Sequence, residues 1–183
     1  MLTPIADMPA LAHALHDEVA IPTFDEVYAA HFAFVWRVLR TFGVAEAALE
    51  DAAQDVFVVV HRRLAEFEGR AAITTWLFAI ARRVAQAHRR KNNDGRIDPL
   101  EEEPAGAADT FAAFSRAQAA ATVMAILDTM DADKRIVFAL VELEQLSVPE
   151  VARMLELNLN TAYSRLRLAR HAFELAVRAR VTP

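Results

Sequence analysis

The chain has no cysteine and only four glycines, two tryptophans and two tyrosines in 183 residues. Without cysteine there is no disulfide framework, no thiolate metal site and no cysteine nucleophile. A reducing compartment suits such a chain. So few glycines argue against the loops that cradle phosphates or dinucleotides, which makes the common nucleotide-using enzymes poor candidates. No apolar run approaches the ~18 residues that a bilayer span needs, so membrane insertion is not expected. The N-terminus lacks a basic segment followed by an apolar run and a small-residue cleavage site, so a cytoplasmic location is expected. His171 has no second histidine at metal-binding spacing, and neither a metal nor a cofactor is expected.

What the chain does contain is 55% hydrophobic and 25% charged residues, with a net charge of −5. Its length suits one medium domain or two small ones. The charge is strongly segregated: −7 over residues 1–60, +6 over 61–91, −5 over 92–114, −3 over 115–159 and +4 over 160–183. Two basic blocks separated by acidic ones can meet a polyanion at two places, although solvated helices also segregate charge.

Helical periodicity runs through most of the sequence, and no alternating strand pattern stands out. The fold class is therefore all-α: two small helical domains joined by an acidic, flexible linker. Residues 1–22 form an N-terminal extension of unknown role, 23–91 a first domain, 92–114 the linker and 115–183 a second domain. In the first domain, helices are expected over 24–42 and 45–67. Val27, Phe32, Val35, Leu39, Val56, Phe57, Val60 and Leu64 supply the buried sides. Thr74 or Thr75 can cap a third helix to residue 91. On that helix Trp76, Ile80, Val84 and Ala87 share one stripe, while Arg82, Arg83, Gln86, Arg89 and Arg90 cover the other side. Such a face can lie against phosphates through charge and bidentate hydrogen bonds. Trp76 can stack on a base, but its place on the apolar stripe favours core packing.

The second domain is expected to hold helices over 121–130 and 134–144, the latter capped by Asp131 or Asp133. Ser147, Pro149 and Glu150 then make a capping-box start. A short helix, a turn at Glu156-Leu157 and a last helix over 162–178, capped by Asn160-Thr161, describe a helix-turn-helix. Ala152 is small where the two helices cross. Leu166, Ala169 and Phe173 face inward, whereas Asn160, Ser164, Arg167, His171 and Tyr163 face outward with groups suited to base edges. An ordinary helical hairpin with a solvated face has the same pattern.

These residues also carry a resemblance. Glu50-Asp51-Ala52-Ala53-Gln54-Asp55-Val56-Phe57 with His61-Arg62-Arg63-Leu64 resembles region 2.2 of bacterial sigma factors. Ile73-Thr74-Thr75-Trp76-Leu77-Phe78-Ala79-Ile80-Ala81-Arg82 is similar to their regions 2.3 and 2.4. Leu146-Ser147-Val148-Pro149-Glu150-Val151-Ala152, with Asn160-Thr161-Ala162-Tyr163-Ser164-Arg165-Leu166-Arg167, is similar to region 4.2. Two domains with only a short linker between them match the extracytoplasmic-function (ECF) subgroup of the sigma-70 family, over about residues 24–178.

The resemblance implies a chain that binds core RNA polymerase and directs initiation at promoter DNA. It implies docking on the β′ clamp helices through Gln54 and Asp55, with Arg62 and Arg63 nearby, and of region 4 on the β flap. It implies −10 capture and melting beside Arg70, Thr74, Thr75 and Trp76, with Arg82, Arg83, Gln86, Arg89 and Arg90 on the strand. Asn160, Thr161, Tyr163, Ser164, Arg165 and Arg167 would read the −35 element, and an anti-sigma factor is an implied partner. Glu156 stands where the family usually has glycine, Arg83 where it has asparagine, Ala87 where aspartate is frequent and Tyr163 where a basic residue is common. No promoter sequence is therefore carried over. The alternatives are a stand-alone helix-turn-helix regulator, a protein that titrates polymerase without initiating, and an all-α enzyme. The enzyme's best carboxylates, Asp51 and Asp55, show no histidine partner in the sequence pattern.

Overall fold

A computed structural model describes residues 22–94 and 111–181, with the side chains of 22–91 and 118–180. The extension over residues 1–21 and residues 95–110 of the linker lie outside the described residues. The elements are α1 (Phe24–Thr41), α2 (Leu49–Arg63), α3 (Ile73–Asp94), α4 (Phe111–Asp128), α5 (Ala132–Phe138), α6 (Val148–Met154) and α7 (Leu159–Val181). Short 3-10 turns, Glu46–Ala48 and Leu64–Glu66, flank α2, and a π-helical segment, Ala139–Leu143, continues α5. No strand occurs among the described residues.

Helix α1 begins where the sequence can satisfy its free N–H groups. The Thr23 hydroxyl accepts from the Glu26 N–H at 3.3 Å, and the Thr23 N–H donates to the Glu26 carboxylate at 2.8 Å. Val27, Phe34, Val35, Val38 and Leu39 then fall on one face and are buried. They pack with Leu49, Val56, Phe57 and Val60 of α2 and with Leu77, Phe78, Ile80 and Ala81 of α3. Deleting a large side chain from such a close-packed centre, Leu39 for example, typically costs about 2–5 kcal/mol.

The expected helix over 45–67 is broken at both ends into 3-10 turns, so only Leu49–Arg63 is α-helical. The third helix starts earlier than expected. Thr75 and Trp76 donate their N–H groups to the Ala72 carbonyl at 2.9 and 3.2 Å, which puts Thr74 and Thr75 inside the first turn instead of at the cap. Ile73 packs against the core, and starting at Ile73 seats that side chain in the helix. Helix α4 begins at Phe111, ten residues before the expected start and inside the expected linker. Asp131 does take the cap position of α5, but its carboxylate pairs with Lys134 Nζ at 2.6 Å and makes no cap hydrogen bond.

The expected helix over 134–144 changes hydrogen-bond pattern. It widens into the π segment, ends with Glu144 N–H on the Ala139 carbonyl, and leaves through Gln145 in the left-handed region at φ 57°. Nothing in the residue pattern signalled that exit.

The helix-turn-helix forms as expected. Ser147 and Glu150 make the reciprocal capping box, and Pro149 sits in the first turn of α6. Val151, Ala152, Ala162, Leu166 and Ala169 are buried at the α6–α7 crossing or below it. The turn closes through Leu157 N–H to the Ala152 carbonyl at 2.8 Å, with Glu156 left-handed at φ 56°. A non-glycine residue there costs about 1 kcal/mol. The cap of α7 is Asn158, not Asn160 or Thr161. Its side-chain oxygen accepts from the Asn160 N–H at 2.9 Å, and its carbonyl accepts from Ala162.

The two halves touch. Ile136, Val137, Leu140, Val151, Met154 and Leu166 belong to the same buried cluster as the α1–α3 core, while Ile126, Leu127, Phe138 and Ala169 form a second cluster beneath α4 and α7. At the junction the Arg37 guanidinium makes two parallel hydrogen bonds to Glu144, the second from Nη2 at 2.8 Å.

The Glu150 carboxyl is held below the usual carboxylate range, chiefly by the Ser147 hydroxyl and then by the Ser147 N–H. A lowered folded-state value means that this contribution is complete above the ordinary glutamate range and is lost as pH falls through the folded value. Glu150→Gln is therefore expected to lower the thermal midpoint at neutral pH. The gap to wild type should close as pH falls from about 5 toward about 3, read by melting curves across that range.

Candidate nucleic-acid interface

Helix α3 presents its arginines as the periodicity requires. The buried side is Leu77, Phe78, Ile80, Ala81 and Ala85, turned from the expected stripe. Trp76 and Val84 are half-buried and Ala87 is exposed, because the α1–α2 core meets the helix on the Phe78 and Ala81 side, while Arg83, Gln86, Arg89 and Arg90 are exposed opposite. Arg83, Arg89 and Arg90 make no ion pair among the described residues, so their donors remain available to an external anion. Arg82 is different: its Nη1 lies 3.9 Å from the Glu156 carboxylate in the helix-turn-helix turn. Arg82, Arg83 and Gln86, with Phe78, Met154 and Glu156, line a recess of about 260 Å³ between the two halves.

The loop before α3 divides its expected residues. Arg70 is exposed and pairs with Glu68 next to it. Thr74, Thr75 and Trp76 are half-buried, and the Trp76 ring packs on Phe67 with centroids 5.3 Å apart. Trp76 is thus a core-packing residue in this arrangement, the outcome its stripe favoured.

The α2 residues split over two surfaces. Gln54 and Arg62 line a groove of about 490 Å³ with Phe24, Tyr28, Phe57, Val58 and His61. Tyr28 and Val58 are exposed apolar side chains at its rim. Neither was singled out by the sequence, because each belongs to a helix whose periodicity had already been assigned to the core. Asp55 points elsewhere, toward α3, where its Oδ2 lies 2.8 Å from His88 Nε2. The histidine partner missing from the sequence pattern is therefore supplied by the fold, 33 residues away. The described residues hold no cluster of three His, Asp or Glu that could bind a metal. Arg63 is occupied locally by Glu66 at 3.2 Å.

On α7, Asn160, Thr161, Tyr163, Ser164 and Arg167 are exposed. Tyr163, Ser164 and Arg167 line a depression of about 670 Å³ with Val148, Arg170 and His171. Hydroxyl, phenol and guanidinium donors on one helical face can read groove edges. Arg165 does not join them. It is turned inward, its Nη2 2.6 Å from Asp133 of α5, and it ties the recognition helix to its own domain.

Comparison with known proteins shows the family. The Sigma-70 region 2 model matches residues 27–94, and the Sigma-70, region 4 model matches residues 120–172. The RNA polymerase sigma-H factor of Pseudomonas aeruginosa is 30% identical over 141 residues, which cover 70% of this chain and 72% of that protein. The ECF RNA polymerase sigma-E factor of Escherichia coli is 27% identical over 144 residues, 72% of this chain and 74% of that one. Among solved structures, CnrH in complex with the cytosolic domain of CnrY aligns with a TM-score of 0.59 at 24% identity, covering 85% of this chain and 88% of that one. The sigma factor RpoE of Bartonella quintana, in complex with the anti-sigma factor NepR, aligns with a TM-score of 0.66 at 18% identity, covering 87% and 98%. At such identities the structural likeness establishes the fold. The chain belongs to the sigma-70 family of RNA polymerase sigma factors and is of the ECF type. The family is one of transcription initiation factors. Among the described residues no helix is long and apolar enough to cross a membrane.

The contrast between neighbouring arginines on α7 can be measured. Arg165→Ala should lower stability by up to about 1 kcal/mol, the range of a surface ion pair. Arg167→Ala should change it by less than about 0.5 kcal/mol. Denaturant titration of the two variants distinguishes them.

Proposed function

We propose that residues 23–91 dock on core polymerase and hold the −10 strand, and that residues 115–183 read the −35 element, with residues 92–114 as the acidic linker between them. The observation that carries this reading is the pair of outward-facing guanidinium surfaces. One lies on α3, at Arg83, Arg89 and Arg90, and one on α7, at Arg167, each within a matched sigma region. Phosphate neutralisation by such groups supplies sequence-independent affinity. Capture of an unpaired base next to them can offset the few kcal/mol that unstacking costs, so strand opening proceeds without nucleotide hydrolysis.

In this reading the β′ clamp helices meet the groove at Gln54 and Arg62, with Asp55, held toward His88, and Arg63, held by Glu66, on the same helix outside the groove, and region 4 meets the β flap. Arg70, Thr74, Thr75 and Trp76 border the flipped base, and Arg82, Arg83, Gln86, Arg89 and Arg90 face the strand. Asn160, Thr161, Tyr163, Ser164 and Arg167 face the −35 groove, while Arg165 positions α7 through Asp133. An anti-sigma factor is the inhibitory partner, and the location is the cytoplasm, where polymerase is.

The first test is titration of the chain into bacterial core RNA polymerase, read by co-elution on a sizing column. Saturable one-to-one binding is expected. A folded chain that fails to bind core, yet binds duplex DNA tightly by itself, would return the stand-alone regulator.

The double variant Gln54→Ala, Asp55→Ala should weaken core binding by roughly tenfold or more. Because Asp55 also pairs with His88, His88→Ala serves as the control. It removes the pair but keeps the carboxylate, and should leave core affinity near wild type. On promoter DNA, Arg167→Ala should cost roughly 1–3 kcal/mol and relax preference at one −35 position. Equal losses on every sequence would make Arg167 a phosphate contact.

A further inference from the structure

We propose that Leu168 is a specificity-determining residue of the −35 face, reading the 5-methyl group of one thymine in the major groove. The inference rests on the reading of α7 as the −35 helix and names a base that this helix selects. Of the six large apolar side chains that are exposed among the described residues, four lie on α7: Leu159, Tyr163, Leu168 and Leu175. Uncovered apolar surface gathered on one element marks an interaction. Leu168 is 48% exposed and takes no part in either buried cluster.

Its position on the helix decides what it can meet. At about 100° per residue, Leu168 stands ~40° beyond Ser164 and ~100° beyond Arg167. The exposed arc therefore runs from Tyr163 through Arg167, His171 and Ser164 to Leu168. It ends there, because Arg165, ~60° farther round, is turned inward to Asp133 at 2.6 Å. Leu175 lies about 10 Å farther along the axis, whereas a recognition helix meets base edges through its N-terminal turns. The Tyr163 phenol can donate or accept, so it can pair with any base, but a leucine side chain offers no hydrogen bond. The apolar group that base pairs present in the major groove is the thymine methyl. A guanine under Arg167, with a thymine beside it on the Leu168 side, is the pattern this face selects.

The test uses the full chain bound to core polymerase and duplex DNA with a randomised −35 region. Wild type is expected to recover thymine at one position next to the base that Arg167 reads. Replacing that thymine by deoxyuridine removes only the methyl group and should weaken binding about threefold to fivefold, the effect of burying one such group. At the same position, 5-methylcytosine should bind more tightly than cytosine by a similar factor, which shows that the methyl group is read and not the base pair. Leu168→Ala keeps the helix, since alanine is the best helix former. It should bind the thymine and deoxyuridine duplexes equally and recover no preference at that position. Leu168→Met, apolar and of similar volume, should retain the discrimination.

Deoxyuridine without effect at every recovered thymine, or with the same effect in Leu168→Ala, overturns the inference. Arg167→Ala on the same duplexes reports separately on the −35 reading, through relaxed preference at its own position. Loss of core binding in Leu168→Ala with base preference intact assigns the leucine to a protein contact and also overturns the inference. A holoenzyme that recovers no −35 sequence at all overturns both.

Discussion

Arg37 and Glu144 are 107 residues apart in sequence, yet their bidentate ion pair is the contact on which the relative placement of the two halves depends. The pair is asymmetric. Glu144 has little access to water and relies on the guanidinium, while Arg37 keeps part of its hydration. A hydrogen bond from the partner carboxylate pushes the Arg37 value up against the opposing effect of burial, so the charge is secure at any ordinary pH. Removing one member of such a pair costs more than the pair contributes, because a charge is left without either water or partner. The joint is therefore firm while the halves are together and gains nothing when they separate.

One buried cluster also runs through both halves. Helices α1–α3 bury their apolar stripes against each other, but Phe42 and Phe78 need cover at the edge. Ile136, Val137 and Leu140 of α5 and its π segment, with Met154 of α6, supply it. The widened π turn ends the helix through Gln145 and so sets where Glu144 lies relative to α1. A local departure from α-geometry is in this way coupled to a long-range ion pair, and π segments are frequent at functional positions.

The residues that were legible in the sequence are those fixed by local rules. The capping box of α6 depends on Ser147 and Glu150 three residues apart, and the stripe of α1 and the arginine side of α3 depend on the helical repeat. The left-handed Glu156 falls where the resemblance puts a family glycine, the residue that adopts this conformation without strain. The misses share a cause as well. Starting α3 at Ile73 and capping α7 with Asn158 were decided by which side chain the core or the cap could use, and several nearby polar residues competed for each. Arg165 on Asp133, Asp55 on His88 and Arg37 on Glu144 are pairings between elements, and no residue spacing encodes them. The first two changed the assigned surfaces: one arginine left the −35 face, and one carboxylate left the groove beside Gln54.

Glu156 brings the local and the long-range rules together. Judged by backbone energetics alone, glycine belongs there, and an exposed glutamate that pairs with Arg82 at 3.9 Å regains little in water.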